Sequence, residues 1–133
     1  MSGTLALVGS GEFLDTMRPV DALLLDAVGG PAHARVVVIP TASAPDGPEV
    51  MASWAERGKA HFVALGASVD AAIIADRAGA DDPANVARIA AANLVYLSGG
   101  KPDFLLATLR GTRAWDAIRM SRVACWRGAA PAR

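Results

Sequence analysis

The sequence predicts an α/β fold, a three-layer, doubly wound parallel sheet. Short uncharged apolar runs alternate with longer segments of helical periodicity. The segments between strands are about 20 residues or longer, the length a parallel crossover needs. Three of the apolar runs end in glycine, serine or threonine, and the carboxyl ends of parallel strands are where such sheets bind ligands.

The elements follow in order. Thr4-Leu5-Ala6-Leu7-Val8 is a first strand, closed by Gly9-Ser10-Gly11-Glu12. A helix is expected from Met17 to Val28 with Val20, Leu23, Leu24 and Ala27 on one face, stopped by Gly29-Gly30-Pro31. Arg35 to Ile39 is a second strand, and its four β-branched residues lead into Pro40-Thr41-Ala42-Ser43. A helix starts near Pro48, a residue suited to a first helical turn. Met51, Trp54, Ala55, Gly58, Phe62 and Leu65 recur along it at three- and four-residue steps, and Gly66 stops it. Val69 to Ala75 is a third strand, although alanine is a poor strand former.

Asp82-Pro83 has the form of an N-cap followed by a first-turn proline, and Val86, Ile89 and Ala90 form the inward stripe of the helix behind it. Asn93 ends that helix. Leu94-Val95-Tyr96-Leu97 follows as a buried strand that exits into Ser98-Gly99-Gly100. Pro102 begins a helix containing Phe104, Leu105, Leu106 and Leu109. Thr112 caps another, from which Trp115 and Ile118 face inward. The 133 residues are read as a single α/β domain whose stretch 120–133 is atypical.

The totals exclude several classes of function. Thirteen basic and thirteen acidic residues cancel, and no basic cluster marks a nucleic-acid or acidic-membrane surface. No apolar run reaches the roughly 18 residues of a membrane span, and the N-terminus lacks the charge pattern of a signal peptide. The single cysteine, Cys125, leaves no internal disulfide. A soluble, cytoplasmic protein is the expectation.

Candidate chemistry concentrates at the strand exits. Gly9-Ser10-Gly11 invites a dinucleotide-binding reading, but the third glycine of that fingerprint is replaced by Leu14 and no acidic residue closes the second strand. Glu12 has two readings, a site residue on the carboxyl edge or a charge that stabilises a helix start. Ser98 lacks the G-x-S-x-G elbow of a nucleophile and reads as a capping or turn residue. Lys101 is placed to orient an anion or is simply solvated. His33 and His61 read as surface or boundary histidines. Asp81-Asp82 reads as helix capping, and Arg110, Arg113 and Arg119 as a solvated helix face. No pair of His, Cys, Asp or Glu has metal-ligand spacing, so neither metal nor cofactor is expected. Cys125 has no evident base beside it.

Taken in order, Ala6-Leu7-Val8-Gly9-Ser10-Gly11-Glu12, Val38-Ile39-Pro40-Thr41-Ala42-Ser43 and Leu97-Ser98-Gly99-Gly100 resemble the cyanophycinase and dipeptidase E family of serine peptidases. That family belongs to the class I glutamine-amidotransferase-like superfamily, with a flavodoxin-like sheet. The resemblance covers residues 4 to about 119 and includes Trp54, Leu65-Gly66 and Phe104-Leu105-Leu106. It implies serine-type hydrolysis of peptide or isopeptide bonds next to acidic residues, with a small peptide as substrate. It implies an oxyanion hole at Gly99 and Gly100, whose N–H groups suit developing negative charge. Substrate-binding candidates are then Gly11, Glu12, Ser43 and Lys101.

The resemblance stops before the chemistry. In the family the nucleophile is a serine in a Gly-x-Ser-Ala-Gly elbow on the next strand-to-helix turn, with its histidine and acid later still. Here that position holds Trp126-Arg127-Gly128-Ala129-Ala130-Pro131-Ala132-Arg133, so no catalytic residue is assigned. Val123-Ala124-Cys125-Trp126 must be encoded as GTN GCN TGY TGG. Reading the same bases two positions later turns the Cys–Trp junction into a leucine codon, and the neighbouring codons then permit Arg-Val-Leu-Ala-Gly-Cys-Ser-Ala-Gly-Ala. By the resemblance, the tail is therefore expected to be an out-of-frame ending, the sheet to be missing its C-terminal strands, and the chain to be inactive as it stands. The alternatives are a non-catalytic α/β domain that binds a small anion or nucleotide, and a homodimer built on an exposed sheet edge. Sequencing the coding DNA beyond the Arg119 codon tests the frame; a natural tail with no elbow in any frame contradicts it.

Overall fold

The computed structural model describes residues 4–8, 18–98, 101–121 and 123–127. Five strands form one sheet: β1 (Thr4–Val8), β2 (Arg35–Ile39), β3 (Ser68–Ala71), β4 (Leu94–Leu97) and β5 (Val123–Arg127). Their order is β1-β5-β4-β2-β3, and all four pairings are parallel. The helices between them are α1 (Arg18–Asp26), α2 (Pro48–Ala64), α3 (Arg77–Asp81), α4 (Pro83–Ala91), α5 (Pro102–Leu109) and α6 (Arg113–Arg119). A 3-10 segment, Thr41–Asp46, joins β2 to α2.

Alternation along the two best-buried strands divides the core in two. Val37, Ile39, Val95 and Leu97 face one side, with Ile89 of α4, Leu105 and Leu109 of α5, and Ile118 of α6. Val36, Val38, Leu94 and Tyr96 face the other, with Leu24 and Leu25 of α1, Val28, and Phe62 of α2. Helices on both faces make the sheet doubly wound, as expected from the uncharged strand sequences. The Phe62 and Tyr96 rings meet edge to face at 5.2 Å and anchor the second layer.

The helix ends are written locally. Asp82 accepts from the Ala84 N–H at 2.9 Å and Thr112 from the Trp115 N–H at 3.2 Å, both as the N-caps expected of them. At the end of α2, Gly66 adopts φ +93, and the Gly66 and Ala67 amides donate to the carbonyls of Val63 and Phe62. That is the Schellman pattern, which needs a residue without a Cβ in the left-handed region.

Several expectations are corrected. The buried side of α1 carries Asp21, Leu24 and Leu25, while Leu23 is 69% exposed and Val20 and Ala27 also face solvent. Strand β3 stops at Ala71 rather than Ala75: the Ala72 amide still reaches the Val38 carbonyl, but beyond it the chain leaves the ladder and Ile74 turns into the core. In α4 the buried partner of Ile89 is Asn85 and not Ala90, since the Asn85 amide donates to the carbonyls of Gly79 and Ile73 and ties α4 to the segment before it. Residues 123–127, assigned above to an atypical tail, form a central strand between β1 and β4.

The largest departure concerns His61. It is not a surface residue: its side chain is 5% exposed, and its Nε2 lies 2.7 Å from Oδ2 of the fully buried Asp21. The apolar periodicity of α2 hides this, because a histidine one step from the Phe62 stripe looks like a boundary position. Asp21 occupies the first turn of α1 and His61 the last turn of α2. The pair clamps α1 to α2, and loss of a buried hydrogen-bond partner costs about 1–3 kcal/mol.

Asp21→Ala and His61→Ala are each predicted to lower the urea-denaturation stability by that order. The double variant is predicted to lose less than the sum of the two by about 1–3 kcal/mol; strict additivity contradicts the clamp.

Candidate functional site

The strand order creates one position where the chain departs in opposite directions. From β2 the chain passes through α2 to β3 on one side, and from β4 it passes through α5 and α6 to β5 on the other. Since α2 lies on one face and α5 on the other, the two adjacent exits separate and leave a crevice at the carboxyl ends of β2 and β4. In an open parallel sheet this is the switch point where ligands bind.

The segments that enter the crevice are Pro40 to Ser43 from β2, and Ser98 from β4. Their pairing continues past the strands, with the Ser98 amide donating to the Ile39 carbonyl at 3.4 Å. The Lys101 amide then donates to the Ala42 carbonyl at 2.9 Å, which fixes the start of α5 to the 3-10 segment across the crevice. Thr41, Ser43 and Ser98 are all buried. Among the described residues, Thr41 Oγ1 and Ser98 Oγ have no hydrogen-bond partner. A hydroxyl removed from water without a partner costs about 1–3 kcal/mol, and two of them on adjoining strand exits are unusual in a native fold.

Of the substrate-binding candidates, Ser43 is enclosed beside Thr41, and Lys101 is exposed at the first turn of α5. The Lys101 ammonium forms no ion pair among the described residues. Gly11 and Glu12 lie outside the described residues, as do Gly99 and Gly100. On either side of that glycine pair, Ser98 is bonded through its amide to Ile39 and Lys101 to Ala42.

The histidines are elsewhere. His61 lies thirteen positions after Pro48 at the start of α2, about 20 Å along the helix axis, and its partner is Asp21. His33 is exposed in a short 3-10 turn before β2. No group of three His, Cys, Asp or Glu that could hold a metal ion occurs among the described residues, and no helix there is long and apolar enough to cross a membrane.

Sequence reading located the two exits but not the significance of Thr41. Its hydroxyl stands out only once burial and the missing partner are known, because Pro-Thr-Ala-Ser alone looks like an ordinary turn. The buried Asp21–His61 pair had no sequence signal, since its members are forty positions apart.

Comparison with solved structures agrees with this architecture. The chain is similar to a peptidase from an acI-B1 Actinobacterium, with a TM-score of 0.87 and 29% identity over 98% of this chain and 55% of that one. It also shares its fold with a putative peptidase E protein from Listeria monocytogenes EGD-e, with a TM-score of 0.65 and 21% identity over 98% of this chain and 60% of that one. The chain thus spans little more than half the length of these structures. No curated protein matches it. Residues 5–124, nearly the whole chain, match the peptidase family S51, and β2, β3 and β4 lie wholly inside the matched region. The chain belongs to peptidase family S51.

Proposed function

We propose that this chain supplies the substrate-binding and oxyanion side of a serine-type peptidase site acting on peptide or isopeptide bonds next to acidic residues. The observation that carries the reading is the crevice between β2 and β4, a ligand position of the sheet in a chain of a peptidase family. Gly99 and Gly100 fall between Ser98 and Lys101, so their N–H groups are the natural donors to a carbonyl oxygen becoming an oxyanion. Lys101, exposed and without an ion pair among the described residues, offers an acidic side chain its charge partner. Gly11, Glu12 and Ser43 complete the proposed contacts with a small peptide.

In the complete reaction a serine hydroxyl attacks the carbonyl, a histidine takes and returns its proton, and an acyl-enzyme is hydrolysed. Neither partner is assigned here. Strand β5 runs into Gly128-Ala129-Ala130, without a serine between small residues, and His61 is committed to Asp21 away from the crevice. The chain alone is therefore proposed to bind without turning over. The uncommitted charge of Lys101 favours the second reading, a non-catalytic domain for small anions, if dipeptide binding is absent while anion binding persists.

The orphaned hydroxyls fit a site that gives up stability for function. Thr41→Val and Ser98→Ala are predicted to leave the thermal midpoint unchanged or raise it, and a loss above about 1 kcal/mol for either shows that its hydroxyl has a partner. Hydrolysis of acidic dipeptides by the 133-residue chain is predicted to match a no-enzyme control. Turnover that survives repurification and disappears on substitution within the crevice overturns the proposal of an inactive half-site.

A further inference from the structure

A second concavity lies at the other end of the sheet. A groove of about 390 Å³ runs between α4 and the amino ends of β2 and β3, where Arg35, Val69, Asp70, Ala87, Arg88 and Ala91 contribute to its walls. It is separate from the crevice, which sits at the carboxyl ends of the strands.

Two features make it more than a surface irregularity. The first is the backbone of β3, the last strand of the sheet. The Ser68 amide donates to the Ala34 carbonyl at 3.2 Å and the Ala72 amide to the Val38 carbonyl at 3.0 Å. The two-residue period of a strand therefore turns positions 68, 70 and 72 towards β2, and positions 69 and 71 outward. The outward Ala71 N–H is capped by Asp70 Oδ1 at 2.8 Å. The N–H and C=O of Val69 face no strand among the described residues, which is the arrangement that accepts an added strand.

The second feature is charge. Arg88 is already engaged, with Nε 3.4 Å from Asp70 Oδ2 and Nη1 3.2 Å from Asn85 Oδ1. Arg35 is held in place by the bond from its Nε to the Ala91 carbonyl at 2.8 Å, while its two Nη groups make no hydrogen bond among the described residues. The groove thus carries one fixed guanidinium with four N–H donors to spare on two nitrogens, and a net charge complementary to a single carboxylate. The methyl groups of Ala87 and Ala91 leave space beside α4 for an aliphatic side chain.

We propose that this groove binds an extended peptide with a free C-terminal carboxylate. The peptide main chain pairs with the N–H and C=O of Val69, the carboxylate meets the Nη groups of Arg35, and an aliphatic side chain rests on Ala87 and Ala91. The edge strand supplies affinity for any extended chain, and Arg35 selects for chain ends.

The test is an NMR titration of the whole chain with acetyl-Val-Ala-Val as the free acid, with the same peptide as its C-terminal amide, and with sodium acetate. Saturable shifts are expected at the amides of Val69 and Ala71 and along α4. Binding is expected to weaken about tenfold for the amide form and about tenfold for Arg35→Gln. Ala87→Trp, which fills the groove from an exposed helix position, is expected to abolish the shifts while leaving the rest of the spectrum in place. The proposal is overturned if the shifts are absent or map away from β3, if the amide form binds equally well, or if acetate reproduces them at the same concentration.

Discussion

The parallel pairing of β2 with β4 is the constraint on which the rest of the structure depends. These strands are nearly sixty positions apart, yet the register from Val36↔Leu94 to Ile39↔Leu97 sets both core layers at once. Every residue in that register is buried, so a slip by one would exchange the two core faces and drive Tyr96 into the layer built for Val95. The same pairing brings Thr41 and Ser98 to the mouth of one crevice and sends the chain away from it in opposite directions. Packing and site thus have a common origin.

The polar groups of the fold divide into two kinds. Asp21 and His61 are buried and bonded to each other, and they serve the packing of α1 on α2. Thr41 and Ser98 are buried, and their hydroxyls are unmatched among the described residues. Unpaid desolvation inside a well-packed sheet points to a position shaped by something other than stability.

Much of this was legible in the sequence because it is local or periodic. The β-branched run Val36 to Ile39, the prolines at helix starts, Thr112 and Asp82 as caps, and Gly66 as a stop all announce themselves within a few residues. The convergence of the strand exits followed from the parallel alternation alone. What was not legible is relational. The face of α1 was misjudged because Leu23 and Val20 have the same hydropathy as the residues that are buried, and only the position of β4 and α2 decides which side turns inward. His61 was misread because its partner lies on another helix. Val123 to Arg127 was passed over because its arginine and alanine-rich surroundings conceal a strand whose place is fixed by β1 and β4 on either side.

The central claim is that ligands enter at the carboxyl ends of β2 and β4. Amide chemical-shift mapping of the chain with an Asp-containing dipeptide tests it most directly. Saturable shifts at Thr41, Ala42, Ser98 and Lys101 are the predicted result. Shifts confined to other parts of the sheet, with those four amides unmoved at saturation, would contradict it.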